Sequence, residues 1–300
     1  MPELSIIIPC YNDAGSLQTL LPRLRERFAD AELLVVNDGS TDDTASVCAA
    51  AGAREVRHRY NMGNGAAVKT GARHAGGEVL VFMDADGQHD PAEIPALLTA
   101  LDSGYDMVVG ARSARSQASL GRRLANGAYN RIASLMTGQQ VLDLTSGFRA
   151  VRAARFREFL PLLPNGFSYP TTITMAFFRA GYAVGYHPIE AARREGRSHI
   201  NPLRDGVRFL LIIFKVATLY SPLKVFFPSA ALVLAMGVLY YGWTFATQGR
   251  FTNATTVLIM AGILIFLLGL ISEQITTLLY STASRETTRP QRGENDPPAH

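Results

Sequence analysis

Two cysteines in 300 residues leave no disulfide framework to expect, and Cys10 and Cys48 stand 38 positions apart in no metal or redox spacing. They read as buried thiols in a reducing compartment. A basic, apolar leader is also missing. The first apolar run, Leu4–Pro9, is too short and follows no basic residue, so no signal peptide is expected and the bulk of the chain should stay in the cytosol. A dinucleotide fingerprint is absent as well. Gly63-Asn64-Gly65 does not extend to G-x-G-x-x-G, because position 68 is Val, and it follows the third expected strand rather than the first. A turn whose amides lie near a nucleotide and a plain helix-entry turn both remain open there.

Charge of one sign is missing by region. Met1–Gly110 carries 16 acids against 8 bases, Ala111–Arg131 has 5 bases and no acid, and Arg193–Lys224 has 7 bases against 2 acids. An acidic front half suits metal binding, and basic segments beside an apolar anchor suit anionic lipid or phosphate. Basic patches also serve nucleic acid. These lie next to membrane-spanning sequence, so no nucleic-acid partner is expected.

Val225–Ala246 runs 22 residues without a charge, and a second apolar stretch covers Thr256 to about Ile271, with a more polar continuation to Tyr280. Each is about the ~20 residues that cross a ~30 Å hydrocarbon core. Tyr240, Tyr241 and Trp243 resemble an interfacial aromatic belt. The loop Thr247–Thr255 holds only Arg250, whereas the opposite flanks hold Arg204, Arg208, Lys215, Lys224, Arg285, Arg289 and Arg292. Positive flanks stay inside, which places both termini on the cytoplasmic side of the cell membrane. Glu273 and Gln274 lie toward the cytosolic end of the second span; an intramembrane acid is a functional candidate by default, but at this depth interfacial placement is expected. Leu120–Thr137 and Leu203–Tyr220 set basic residues against helically spaced apolar ones (Leu120, Leu124, Ala128, Ile132 and Leu135 in the first), as helices in the headgroup plane do. The expected layout is a catalytic domain over 1–200, an amphipathic linker over 201–224, a transmembrane hairpin over 225–283 and a disordered tail over 284–300.

The front of the chain alternates strands and helices. Strands are expected at Leu4–Ile8, Glu32–Asn37, Glu55–Tyr60, Glu78–Met83 and Met107–Gly110. Helices are expected over about Ser16–Phe28 with Ser16 as N-cap, over Asp42–Ala51, and from the Gly63-Gly65 turn to Ala75. This pattern predicts an α/β fold with a mostly parallel sheet and ligands at the carboxyl ends of its strands. Those ends read Pro9-Cys10-Tyr11-Asn12-Asp13, Asn37-Asp38-Gly39-Ser40 and Asp84-Ala85-Asp86-Gly87-Gln88-His89. Two acids one residue apart at a strand end can hold a hard divalent cation while a ligand's diphosphate completes its shell. A lone Asp-x-Asp is common; one that shares a crevice with Asp38 is far more specific.

With Ile6-Ile7-Ile8 before the first of these and Val36 before the second, the three runs resemble glycosyltransferase family 2. Asp143-Leu144-Thr145-Ser146-Gly147-Phe148-Arg149 and Arg194-Glu195-Gly196-Arg197-Ser198-His199 are similar to its dolichyl-phosphate mannose synthase and polyprenyl-phosphate glycosyltransferase branch. The resemblance covers about 4–220, and the paired spans extend it to 280. It implies a GT-A nucleotide-sugar fold, a Mg²⁺ or Mn²⁺ ion, and transfer of one sugar, with inversion, from a UDP-glucose or GDP-mannose type donor to a polyprenyl phosphate. It further implies that Pro9, Tyr11 and Asp38 line the nucleoside pocket, with Asn12, Asp13, Gly63, Gly65 and Asp84 beside them. Asp84, Asp86 and Gln88 would serve metal and diphosphate, and Arg112, Arg122 or Arg123, and Arg194 would grip the acceptor phosphate. Three positions depart from the family: Asp13 stands for Glu, Gly87 for Leu and His199 for Lys.

A lipid phosphate with a second pKa near ~6 is largely dianionic at neutral pH and needs positioning more than proton removal. If a base exists, Asp143 is the candidate, and an Asp opening a structural turn is the equal alternative. The Gln-x-x-Arg-Trp element of processive polysaccharide synthases is absent, since the one tryptophan, Trp243, follows Tyr241-Gly242 inside a span. A glycan, another lipid or a protein as acceptor, a non-catalytic nucleotide-binding scaffold, and a homo-oligomer are the readings left open.

Overall fold

Leu4–Cys10 forms the first strand (β1), and Ile6, Ile7 and Ile8 are all fully buried in it. A strand buried on both faces reads as a continuous apolar run rather than an alternating one. Ile6, Ile8 and Cys10 pack with Leu17, Leu20, Leu21 and Leu24 of helix α1 (Ala14–Arg27). Ile7 points the other way, onto helix α3 (Asn64–His74) at Gly71. The computed structural model describes residues 3–112, 120–166, 169–190, 214, 218 and 220–288, with backbone alone for 120–126 and 281–288.

The remaining elements follow in order: β2 (Glu32–Asn37), α2 (Thr44–Ala50), β3 (Arg54–Arg57), β4 (Val79–Phe82), α4 (Ile94–Asp102), β5 (Met107–Arg112) and α5 (Leu120–Thr137). Then come β6 (Arg149–Arg152), α6 (Ala153–Glu158), α7 (Tyr169–Ala180) and β7 (Val184–Ile189). The strands make one sheet of seven in the order β3-β2-β1-β4-β6-β5-β7, parallel except at β6, which runs antiparallel to both neighbours. The expected mostly parallel sheet with flanking helices is therefore present.

Several boundaries differ from the sequence reading. Helix α1 begins at Ala14, not Ser16; its N-cap position is Asp13, and the Ser16 hydroxyl donates to Asp13 Oδ1 (2.6 Å) within the first turn. Strand β3 stops at Arg57 rather than Tyr60, because the His58 ring turns to Asp38. In α5 the packed face is Tyr129, Ala133 and Met136, with the Tyr129 hydroxyl donating to Thr171 of α7 (3.1 Å). Ala128 and Leu135 of the expected apolar stripe face outward, Leu135 with 75% exposure, so that stripe is not the core face.

The chain forms two compact units, one of residues 1–201 with 283–300 and one of residues 202–282. The second contains helix α8 (Pro222–Gln248) and α9 (Asn253–Thr288) as far as Thr282, and Pro222–Gln248 and Asn253–Tyr280 are long and apolar enough to cross a membrane. Gly249, left-handed at φ 63°, ends α8. The helices approach closely at glycines: a Cβ on Gly237 would stand 3.0 Å from Ile259, and one on Gly262 would meet Leu234. Glu273 accepts from the Leu223 amide (3.2 Å) and the Ser221 hydroxyl (3.1 Å), so an α9 carboxylate caps the amino end of α8. Helix α9 continues to Thr288, so 284–288 of the expected disordered tail are helical; 289–300 lie outside the described residues. Of the amphipathic segment 203–220 only Phe214, Thr218 and Tyr220 are described, all helical.

Substituting Gly71→Ala tests how closely α3 seats on the sheet. Its methyl would collide with Ile7 Cγ2 and approach Val36 Cγ2 to 3.2 Å. Overpacking of this kind costs about 1–3 kcal/mol, more than the ~1 kcal/mol gained in helix propensity. A lowered melting temperature in detergent is expected, and an unchanged one would contradict the packing.

Candidate active site

The carboxyl ends of β1, β2 and β4 open side by side, because β1 pairs in parallel with both β2 and β4. Polar side chains gather where the buried strands stop. Asn12 takes a left-handed backbone (φ 53°), which Asn tolerates better than most residues. Its amide donates to Ser40 Oγ (3.0 Å), and its Oδ1 accepts from the Thr41 amide (2.8 Å), tying the β1 loop to the β2 loop. Asp42 joins them again by accepting from the Ala14 amide (2.9 Å) at the start of α1.

Asp38 is buried, and its carboxylate organises the β3–α3 loop. Oδ1 accepts from the Met62 amide (2.8 Å) and meets His58 Nδ1 (2.7 Å), while Oδ2 accepts from the Gly63 amide (2.8 Å). A cavity of about 160 Å³ beside it is lined by Pro9, Cys10, Tyr11, Asp38, Asn61, Asn64, Ala67 and Asp84. Tyr11 is half exposed there and offers a flat apolar face. Asn12 and Asp13 hold the adjoining loop rather than the cavity wall.

Gly63 stands at the N-cap of α3, as the helix-entry reading expects, and both glycines also make room for a distant loop. A Cβ on Gly63 would lie 2.7 Å from Asn165 O, and one on Gly65 would strike Pro164 O. The loop 163–166 lies against this turn, held by Ala66 N donating to Asn165 O (2.8 Å) and by Lys69 Nζ bonding Leu163 O (3.1 Å) and Asn165 Oδ1. Nothing within the turn's own sequence announces a turn-to-loop contact made a hundred residues downstream.

Asp84 and Asp86 follow β4, both half-buried. Asp84 lines a second cavity of about 100 Å³ with Asn64, Thr145, Gly147, Gly166, Tyr169, Pro170 and Thr171, so it stands at the junction of two recesses. Gly147 permits this: a Cβ there would be 3.0 Å from Asp84 Oδ2 and 3.3 Å from the Tyr169 hydroxyl. Gln88 holds Asp86, its side-chain amide donating to Oδ2 (2.7 Å) and its backbone amide to Oδ1 (3.2 Å). No cluster of three His, Cys, Asp or Glu side chains occurs among the described residues. The next residue, His89, is buried and stacks on Phe148 (4.9 Å between centroids), and burial pushes its pKa down to about 4.

Arg112, ending β5, grips Asp143 with two bonds, Nε to Oδ2 (2.8 Å) and Nη2 to Oδ1 (3.0 Å), and reaches Thr145 Oγ1 (2.6 Å). Asp143 also accepts from its own turn: the Thr145 amide (3.0 Å), the Thr145 hydroxyl (3.1 Å) and the Ser146 amide (3.1 Å). Burial pushes its carboxyl up, but the Arg112 bonds and turn amides outweigh it and hold the pKa below the ordinary carboxylate range. The side chains of Arg122 and Arg123, on α5, and all of Arg194 lie outside the described residues. Unforeseen were Tyr169, which donates to Gly147 O (3.2 Å), and the burial of Arg149 in the middle of the sheet.

The Glycosyl transferase family 2 profile matches residues 5–160, and a GtrB C-terminal hairpin profile matches 221–278. An undecaprenyl-phosphate 4-deoxy-4-formamido-L-arabinose transferase of Pseudomonas fluorescens is 30% identical, over 94% of this chain and 87% of its own length. Glycosyltransferase AglJ of Haloferax volcanii is 29% identical, over 91% and 93%. Among solved structures, glucosyl-3-phosphoglycerate synthase of Mycobacterium tuberculosis, in complex with Mn²⁺, UDP and glucosyl-3-phosphoglycerate, superposes with a TM-score of 0.56 at 22% identity, over 72% of this chain and 78% of that one. That likeness establishes a GT-A-like fold for the catalytic unit.

The Asp143 carboxyl, depressed in the folded state, contributes stability that is complete above the ordinary carboxylate range and fades as pH falls below it. The difference in melting temperature between wild type and Asp143→Asn should therefore be steady above about pH 5 and narrow below about pH 4. A difference that widens in acid would contradict the Arg112–Asp143 geometry.

Proposed function

The chain belongs to glycosyltransferase family 2, and from that premise we propose that it moves one sugar, with inversion, from a nucleotide-sugar to a polyprenyl phosphate at the cytoplasmic face of a membrane. The observation that carries this is Asp84. It borders both the cavity beside Tyr11 and Asp38 and the recess at Thr145 and Gly147, where a donor's diphosphate and an acceptor would meet.

Pro9, Tyr11 and Asp38 would receive the nucleoside, with Tyr11 as the surface on which the base lies. Asp38 already uses both lone pairs of Oδ1 and one of Oδ2 on His58, Met62 and Gly63. It has one acceptor left. Uracil presents a single ring N–H and guanine two adjacent N–H donors, so the spare lone pair favours a UDP-sugar. Asp84 and Asp86 suit Mg²⁺ or Mn²⁺: two hard oxygen ligands at a strand end, with diphosphate and water left to complete the shell. Such an ion, when bound, stabilises the charge gathering on the departing diphosphate. Gln88 acts on Asp86, fixing its rotamer, rather than as a ligand in its own right.

An oxygen of the acceptor phosphate forms the new bond to the anomeric carbon as the bond to the donor's diphosphate breaks, its electron pair leaving with the nucleoside diphosphate. The dianionic phosphate supplies the electron pair, so no base is required. Asp143 is saturated with donors and holds Arg112 in place; its role is positioning. Arg112, with Arg122 or Arg123 and Arg194, would bind the acceptor phosphate through forked hydrogen bonds. The relatives named for undecaprenyl phosphate and the hairpin profile support a lipid acceptor. Basic flanks at Lys224 and Arg285 support cytoplasmic termini, and the outward stripe at Ala128 and Leu135 supports an α5 that lies on the headgroups.

Purified protein is incubated with polyprenyl phosphate and a panel of labelled nucleotide-sugars, with and without Mn²⁺. Label in a lipid-extractable product is expected, whereas transfer only to protein or water-soluble glycan would overturn the acceptor. Asp84→Ala and Asp86→Ala should each lose on the order of 10²–10³-fold in kcat; retained activity would sink the metal role. UDP should raise the melting temperature more than GDP, and the reverse order would refute the uracil preference.

A further inference from the structure

His58 enters none of the steps above, yet its side chain is buried, with 8% exposure. Its amide donates to Asn37 O (2.9 Å) just past the end of β3, which sets it beside the residue that precedes Asp38. From there Nδ1 meets Asp38 Oδ1 (2.7 Å), and Nε2 meets Thr70 Oγ1 (2.9 Å) on α3. A carboxylate only accepts, so Nδ1 carries the proton; in the neutral ring Nε2 then accepts from the Thr70 hydroxyl. Thr70 thereby favours the tautomer that Asp38 requires.

Of the three donors to Asp38, the Met62 and Gly63 amides belong to the backbone. His58 is the one side chain bonded to Asp38 among the described residues. Met62 and His58 together fill both lone pairs of Oδ1, while Oδ2 keeps one beyond its bond to Gly63. Asp38 lines the cavity beside Tyr11 with that carboxylate. Two adjacent N–H donors on a base would need a free lone pair on each oxygen, and a single ring N–H needs one. Without His58, a lone pair of Oδ1 would stand open in a buried place, and only the loop amides would fix the carboxylate plane.

We propose that His58 is a positioning residue for the donor's nucleobase: it closes Oδ1 of Asp38 and holds the carboxylate so that Oδ2 alone takes the ring N–H of the base. This rests on the reading of Asp38 as the nucleoside contact. His58 reaches the base only through Asp38. An acceptor held in one orientation by its supporting bonds separates a ligand that can donate from one that cannot; a movable acceptor separates them less. The consequence is an energetic coupling between two groups that never touch, the His58 ring and the N–H of the base.

The full chain in detergent is titrated calorimetrically with UDP and with N3-methyl-UDP, which lacks the ring N–H, with Mg²⁺ present throughout. No sugar transfer enters the measurement. Wild type should prefer UDP on the order of tenfold to a hundredfold. His58→Phe and His58→Leu remove the donor; in each, UDP should weaken on the order of tenfold while N3-methyl-UDP changes little, so the preference shrinks. His58→Asn, whose amide can donate from near the place of Nδ1, should keep most of it. A merely structural role would weaken both ligands by one factor and leave the preference as it was. Either donorless variant that folds decides the matter: a preference equal to that of wild type overturns the proposal. Wild type that binds the two ligands equally, or binds neither, would instead overturn the reading of Asp38 as the nucleoside contact.

Discussion

A strand covered on both faces can carry polar side chains only where it ends, and that constraint places everything else in the catalytic unit. Ile6, Ile7 and Ile8 fill both sides of β1, and Leu33 to Val36 do the same in β2. The first residues free to be polar are those that leave the sheet: Tyr11 to Asp13, Asp38 to Ser40, Asp84 and Asp86. Because the strands run parallel, these exits share one edge. The loops must then satisfy their own backbone groups away from any ladder. Asn12, Asp38 and Asp42 do this by binding neighbouring loops and Asp143 by closing its own turn, which fixes the crevice as it feeds the hydrogen bonds.

Positive charge is distributed in two ways around that crevice. Arg112 is paired at hydrogen-bond distance and directed by its partner, leaving its remaining donors set in one orientation. Arg149 is sealed beside Tyr169 and held by neutral acceptors, Pro170 O, Thr174 Oγ1 and Ser146 O. A surface pair contributes little to stability, but charges withdrawn from water interact over longer distances.

Much of this was legible in the sequence. Strand β2 and helix α5 occur at the expected residues, and the acidic exits fall on one edge as alternation and motif implied. What escaped was long-range. Strand β6 spells Arg-Ala-Val-Arg, and a strand opening on arginine reads as a loop unless its burial is known. Strand β7 carries Tyr186, His187 and Pro188, which mask its period of two. The reason for Gly63 and Gly65 lies in Pro164 and Asn165, and the partner of Glu273 is the start of the other helix of the hairpin. Local periodicity has no record of such partners. Side-chain saturation is also invisible: Asp143 offers the same letter whether it is a base or, as its bonds here indicate, the anchor of Arg112.

The clamp between the Gly63–Gly65 turn and the 163–166 loop has a temporal meaning. Lys69 bonds Leu163 and Asn165 across 94 and 96 residues, a separation that local contacts do not bridge. Non-local closures of this kind must bear their loop entropy before they gain any contact, so they come late in folding. During synthesis β1, β2 and β4 can pair while the turn above Asp38 still lacks its cover. The recess at Thr145 and Gly147, which Gly166 and Tyr169 also line, is thus finished only once the chain beyond Thr171 has left the ribosome. A truncated product ending before that loop would hold Asp38, Asp84 and Asp143 and lack one wall of that second recess.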